Sequence, residues 1–256
     1  MAMHNPVFFE LHSQLPRESP GRADFTRQAY RMIPRLKNPY ILDVGCGTGP
    51  ATLELAALSN SVITAIDTHR PYLDELERRA AQRDLTPYVE VRQMSMFDMD
   101  FPAGYFDVIW AEGSIYLIGF ERGLREWRSM LTPNGFLVVH EVVWLQPNPP
   151  EDIQNYWQEM YPALASIEER IKCIQRQGYR LLGHFTLPEE AWWDEYYEPL
   201  EQRIKMLRPR YRDDPEALAV LDEEQREVDM YRRHSAWYGS AFFVMQNTGA
   251  ADEKHK

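Results

Sequence analysis

Apolar positions along the first 145 residues fall in short runs separated by amphipathic stretches, the pattern of strands alternating with helices. Residues 40–44 read as a buried strand, and 50–58 as a helix with Pro50 at its first position, where a missing N–H costs nothing. A second strand is predicted over 61–67. Thr68 then caps a helix whose apolar face is Tyr72, Leu73, Leu76 and Ala80. On its wet side, Asp74–Arg78 and Glu75–Arg79 stand four residues apart, as ion pairs on a helix require. Strands follow over 89–92 and 106–111. A helix over 121–131 ends at Thr132-Pro133-Asn134-Gly135, and a fifth strand covers 135–144. Ahead of all this, 22–36 reads as a helix entered through the loop 15–21.

Pro147-Asn148-Pro149-Pro150 interrupts the rhythm. Beyond it, 152–177 reads as one long helix kinked near Pro162, 179–187 as a sixth strand, 188–240 as mainly helical and 241–246 as a seventh strand. Strand–helix alternation of this kind predicts an α/β doubly wound sheet. The chain divides into an N-terminal lid loop and helix (1–36), a core (37–146), a C-terminal part carrying the last strands and helical insertions (147–248), and a small, charged tail (249–256) expected to fray.

Composition narrows the function classes. With 256 residues, 44% of them hydrophobic, the chain can bury a sizeable core. A formal charge of −11 opposes phosphate-tracking surfaces, so no nucleic-acid partner and no anionic membrane partner is expected. Two cysteines, Cys46 and Cys173, make neither a disulfide framework nor a zinc site by themselves, and no metal is expected. The start lacks a basic n-region and a signal-length apolar run, which predicts a cytoplasmic setting.

The chemistry concentrates at Asp43-Val44-Gly45-Cys46-Gly47-Thr48-Gly49-Pro50. A strand running into a glycine-rich turn and then a helix lets a ligand lie on bare backbone at the carboxyl edge of a sheet. Asp67, at the end of the second strand, is placed to accept hydrogen bonds from a ribose diol. The spacing is G-x-G-x-G, neither the dinucleotide G-x-G-x-x-G nor a P-loop. An acid at position 43 repels a pyrophosphate and welcomes an ammonium or sulfonium.

These residues resemble motif I and the acidic loop of the class I S-adenosylmethionine-dependent methyltransferases, over roughly residues 38–142. The segment from Trp110 to Gly123 is similar to a poorly characterised prokaryotic branch of these enzymes, and methyl transfer to a small-molecule acceptor is the expected activity. The resemblance implies a Rossmann-like seven-stranded sheet of order 3-2-1-4-5-7-6 with the last strand antiparallel. It implies S-adenosyl-L-methionine as cofactor and S-adenosyl-L-homocysteine as product. It also implies roles for particular residues. Asp43 serves the methionine amino group. Gly45, Gly47 and Gly49 form the backbone cradle. Asp67 holds the ribose hydroxyls with Thr68 beside it. Ser95 and Met96 flank the adenine, with Asp98 reaching its amine, and Glu112-Gly113 lie near the sulfonium. Cys46 is a small packing residue.

Methyl transfer is an in-line displacement with a good leaving group, so positioning can carry much of the catalysis and a base is needed only for a protonated acceptor. Glu112, Tyr116 and His140 are the catalytic candidates at the strand ends, with His140 either a general base or a satisfied structural histidine. Tyr116 and Trp144 are placed to wall an aromatic pocket. Arg17, with Ser19 and Gly21, belongs to a loop able to fold over the cofactor and meet its carboxylate. Part of the set Trp192, Trp193, Tyr196, Tyr197, Tyr231, Trp237 and Tyr238 is expected to close the acceptor site. Asn148-Pro149-Pro150-Glu151 lacks the terminal aromatic that a base-flipping N-P-P motif needs, and reads as a turn. A nicotinamide-dependent oxidoreductase is disfavoured by Asp43 and the glycine spacing. A cofactor-binding scaffold or partner-activated subunit without turnover is the non-enzymatic alternative. The acceptor atom, oxygen, nitrogen, carbon or sulfur, stays open.

Overall fold

A computed structural model describes residues 5–249. Five strands, β1 (Ile41–Val44), β2 (Ile63–Asp67), β3 (Val89–Gln93), β4 (Phe106–Glu112) and β5 (Leu131–Trp144), run parallel. A two-residue strand β6 (Ala165–Ser166) pairs with the end of β5. β7 (Tyr179–Thr186) and β8 (Tyr238–Asn247) complete the sheet, with β8 antiparallel to both β5 and β7. The order is β3-β2-β1-β4-β5-β8-β7 with β6 off this path. Leaving out β6, this is the predicted seven-stranded Rossmann-like arrangement.

The helices are α1 (Pro6–His12), α2 (Ala23–Arg31), α3 (Pro50–Ser59), α4 (Arg70–Gln82), α5 (Phe120–Trp127), α6 (Glu151–Met160), α7 (Ile167–Arg176), α8 (Glu190–Trp192), α9 (Glu198–Leu207) and α10 (Pro215–His234), with a π turn over Trp193–Tyr197. Alternate strand residues feed two cores, because successive side chains point to opposite faces. Val44, Ile66, Ile109, Leu137 and Phe243 pack beneath Leu124, Trp127 and Ile174 of α5 and α7. Ile41, Ile63, Val108, Val138 and Phe242 pack beneath Ala29, Ala51 and Leu55 of α2 and α3. A third core stands off the sheet, where Val7 and Leu11 of α1 meet Tyr197, Leu200, Ile204, Leu221, Val228 and Tyr231. Among the described residues no helix is long and apolar enough to cross a membrane.

The structure departs from the sequence reading in several places. The helix predicted over 22–36 stops at Arg31, because Pro34 restrains Ile33 away from helical geometry. His69, not Thr68, precedes α4, and the Asp67 side chain accepts the His69 N–H at 2.9 Å. Asp74 pairs with Arg70 rather than Arg78, which turns to Glu75; the Glu75–Arg79 pair forms. The helix predicted over 121–131 gives way to a 3-10 turn at Arg128–Met130, and β5 begins at Leu131 through an irregular register. The long helix over 152–177 is two helices. Pro162, which cannot donate an N–H, lies in the break, and Ser166 starts α7 with a reciprocal capping box to Glu169. α1 was not foreseen, although Asn5 as cap and Pro6 at the first position announce it. The tail past Gly249 lies outside the described residues.

Candidate active site

The carboxyl ends of β1, β2 and β4 lie side by side and bring Asp43, Asp67 and Glu112 to one edge of the sheet. There a cavity of about 280 Å³ opens, lined on the sheet side by Asp43, Gly45, Cys46, Gly47, Asp67, Thr68, Glu112 and Gly113. Its other wall comes from α1 and the following loop (Phe8, Phe9, His12, Arg17, Glu18 and Ser19), together with His69, Tyr72, Tyr116 and Leu117.

The glycine turn is held from behind. Gly45 and Cys46 both donate their N–H to the Ile66 carbonyl, at 2.9 and 3.0 Å. Gly47 donates to Asp67 Oδ2 at 3.0 Å, so Asp67 braces the turn as well as facing the cavity. Gly45 has φ +70°, and a Cβ there would come within 2.6 Å of the Ser114 Cβ. Gly47 has φ +55°, and a Cβ there would strike the Glu18 carboxylate. Gly49 starts α3 beneath Leu76 and does not line the cavity.

Carboxylates dominate the electrostatics. Asp43 is buried and accepts from Thr52 Oγ1 at 2.6 Å. Burial pushes its carboxyl up to about 7, against the Thr52 hydrogen bond, and the nearby Glu112 and Asp67 charges add to the rise. Glu112 is gripped by Arg17 Nη2 at 2.7 Å, by Thr26 Oγ1 at 3.0 Å and by Trp110 Nε1 at 3.1 Å. Arg17 is 3% exposed; its Nε and Nη1 have no hydrogen-bond partner, and Nη1 lies 3.7 Å from Glu195 Oε2 as a longer ion pair. Glu18 accepts the Thr48 N–H at 3.2 Å while burial pushes its own carboxyl up. Burial also raises the Cys46 thiol, which keeps it protonated and inert.

The remaining candidates divide. Tyr116 and Glu112 line the cavity; His140 and Trp144 do not. His140 is 3% exposed and stacks on Phe242 at 4.8 Å, with neither ring nitrogen bonded. Burial drives its imidazole down to about 3, with the Arg17 charge adding to the effect. Its neighbour Glu141 is bound by Arg170 at 2.9 Å and by Tyr161 at 2.8 Å, again off the cavity. Trp144 lies beside Trp157 and Tyr161 in a separate groove. Ser95, Met96 and Asp98 follow β3 and do not line the cavity, although the Met96 Cε comes within 3.4 Å of the Cβ position at the cavity residue Gly45; Asp98 is exposed. Trp192, Tyr196, Tyr197, Tyr231 and Tyr238 fill the third core and none lines the cavity. Sequence reasoning missed His12, Glu18 and the α1 phenylalanines as cavity residues; the Asn5-Pro6 helix start was the available signal.

The donor set fits a ligand with a cationic centre, a carboxylate and a diol. In such a ligand, Asp43 would suit the cation, the Arg17 guanidinium the carboxylate, and Asp67 beside the glycine cradle the diol.

Comparison with known proteins finds methyltransferases. Residues 41–135 match a methyltransferase domain family. The chain is 23% identical over 159 residues to the O-methyltransferase cnsE of Penicillium expansum, covering 61% of this chain and 58% of that protein. It thus spans less than two thirds of that curated relative. It is 26% identical over 229 residues to the uncharacterized methyltransferase YodH of Bacillus subtilis, covering 88% and 91% respectively. Its fold is that of an S-adenosylmethionine-dependent methyltransferase from Geobacter sulfurreducens solved with S-adenosyl-L-homocysteine, at a TM-score of 0.82 and 17% identity, over 94% and 97% of the two chains.

Proposed function

We infer that the chain, whose residues 41–135 match a methyltransferase domain family, is an S-adenosylmethionine-dependent enzyme that moves a methyl group to a small-molecule acceptor. The observation carrying this reading is the pair Asp43 and Asp67 on either side of the glycine turn, opposite a buried Arg17 with unspent donors. No dinucleotide pyrophosphate suits a cavity walled by Glu18, Asp43, Asp67 and Glu112 against the single guanidinium of Arg17. The solved Geobacter relative, bound to S-adenosyl-L-homocysteine, supports the same ligand class.

S-adenosylmethionine supplies a methyl group already activated on a sulfonium. This chain's residues bind and orient. Asp43 holds the amino group, Arg17 the carboxylate, and Asp67 with Thr68 the ribose hydroxyls. Gly45 and Gly47 let the ligand approach the backbone, while Ser95 and Met96 flank the adenine. Glu112, locked by three donors, fixes the loop that carries Arg17 and keeps negative charge near the reacting cation. α1 and the loop after it cover the cavity and exclude water.

Calorimetric titration with S-adenosyl-L-homocysteine and with NAD tests the reading. Micromolar binding of the first and none of the second is expected. The reverse result overturns it. Transfer of a labelled methyl to an acceptor separates an enzyme from a scaffold that binds without turnover.

A further inference from the structure

We propose that His12, held by Glu224, is the general base of this site and that the acceptor is a hydroxyl on a ring-bearing, apolar body. This inference rests on the methyltransferase reading and adds the proton acceptor and the substrate class to it.

His12 is the last residue of α1, lines the cavity and is 2% exposed. Its Nε2 lies 3.1 Å from Glu224 Oε2 on α10, and its Nδ1 is buried with no partner. An ionised carboxylate only accepts hydrogen bonds, so a neutral ring facing Glu224 would carry its proton on Nε2 and leave the Nδ1 lone pair bare. A buried, unpaired acceptor costs free energy, and a ligand O–H would relieve it. A base whose far nitrogen is oriented by a carboxylate is the arrangement that general-base catalysis uses. His140 offers no such arrangement, since neither of its nitrogens is bonded and it does not line the cavity.

The groups around His12 suit an imidazolium. Glu224 touches it, and Glu18 and Glu227 act on it through space. Phe8 stacks on the ring at 4.2 Å, and Tyr196 stands at 6.2 Å across the third core. Arg203 is the nearby cation, and its guanidinium is spent on the Glu10 and Leu11 carbonyls and on Gln14. Phe8, Phe9, Tyr72, Tyr116 and Leu117 give this half of the cavity flat, apolar walls, which fit a ring better than a small polar amine. In the step, the acceptor O–H bond breaks and its proton goes to His12 Nδ1. The oxygen pair forms the new bond to the methyl carbon. The carbon–sulfur bond breaks with its electrons to sulfur, which leaves neutral S-adenosyl-L-homocysteine. Glu224 balances the imidazolium until the proton passes to solvent.

The test uses two probe acceptors near neutral pH, 4-methylphenol, which is protonated, and pentafluorophenol, which is ionised. His12→Gln and Glu224→Gln are compared with the unaltered chain for kcat, S-adenosyl-L-homocysteine affinity and thermal unfolding. Roughly a hundredfold loss of kcat on 4-methylphenol is expected for His12→Gln, the usual yield of a general base. The loss on pentafluorophenol should be at least about tenfold smaller, because no proton needs removing. The ring nitrogens of His12, observed by NMR in the unaltered protein, should show a protonated Nε2 and a bare Nδ1, and Glu224→Gln should disturb that tautomer. Equal losses on both phenols, or the opposite tautomer, overturn the proposal. Methylation of neither phenol by a protein that binds S-adenosyl-L-homocysteine overturns the substrate class and leaves the methyltransferase reading standing. Failure of the unaltered protein to bind S-adenosyl-L-homocysteine overturns both.

Discussion

Arg17 Nη2 donates to Glu112 Oε1 across 2.7 Å, fastening the loop after α1 to the last residue of β4. Both side chains are 3% exposed, so the pair is shielded from solvent and salt. It is the point at which a segment far away in sequence is tied to the carboxyl edge of the sheet. Arg79 adds a second tie, donating to the Leu15 and Pro16 carbonyls, and Gly21 a third, to the Ala191 carbonyl.

Arg17→Met should therefore damage both stability and binding. Removing one partner of a buried pair strands the other charge and costs about 3 kcal/mol or more. The double change Arg17→Met/Glu112→Gln should regain part of that stability, because no charge is then stranded. It should regain none of the S-adenosyl-L-homocysteine affinity, because the carboxylate donors are gone. Chemical denaturation and calorimetry on the three proteins check this, and full recovery of affinity in the double variant would remove Arg17 from the cofactor site.

Asp67→Ala should weaken S-adenosyl-L-homocysteine binding by roughly 1.5–3 kcal/mol, ten- to a hundredfold, with the fold retained. Two sources of the loss are expected. One is a contact to the ribose. The other is the pair of backbone N–H groups, Gly47 on Oδ2 and His69 on Oδ1, which would be left to find water. Asp67→Asn keeps an acceptor for Gly47 and should cost less than Asp67→Ala. An unchanged dissociation constant for both would place Asp67 away from the ligand.

Asp43 should make cofactor affinity depend on pH. Its carboxyl is raised to about 7 in the folded protein by burial, well above its value in an unfolded chain. A raised carboxyl contributes stability at low pH that is lost as pH climbs through the folded pKa. In the ligand-free protein, Asp43 therefore costs stability between about pH 4 and pH 7, and Glu141, also raised to about 7 by burial, acts in the same direction. A ligand ammonium favours the ionised form of Asp43, so binding should release up to one proton and tighten as pH rises from about 6 to 8. Calorimetry in buffers of different ionisation enthalpy measures the proton. Asp43→Asn should abolish the slope, and a slope of the opposite sign would exclude Asp43 as the ammonium partner.

Much of this architecture was legible in the sequence, because β1, β2 and β4 are buried on both faces and read as short apolar runs. The glycine turn and the acids at 43 and 67 stand within 25 residues of one another, so one βαβ unit declares its own ligand edge. What escaped depends on pairing across long separations. Nothing near Ala165 and Ser166 tells that they pair with Val143 and Trp144, and nothing near His12 tells that Glu224 stands behind it. His140 misled for the opposite reason. Strand alternation limits which of His140 and Glu141 can face the ligand edge, but neither lines the cavity once β8 and α6–α7 are in place.

His140→Leu carries that last point to a measurement. His140 is fully enclosed, stacked on Phe242 at 4.8 Å, with both ring nitrogens unbonded. Its imidazole is held down to about 3 by burial and the Arg17 charge, so it is neutral throughout the physiological range. A buried polar ring without partners is a net cost, and replacing it by an apolar side chain of similar size should leave stability unchanged or raise it by up to about 1 kcal/mol. The neutral ring also faces no acceptor, so kcat and its pH profile should stay within about threefold of the unaltered enzyme, far from the hundredfold that loss of a general base brings. A steep fall in kcat with intact S-adenosyl-L-homocysteine affinity would return His140 to the mechanism. His12→Gln and His140→Leu, compared on one protonated acceptor, decide which imidazole receives the proton.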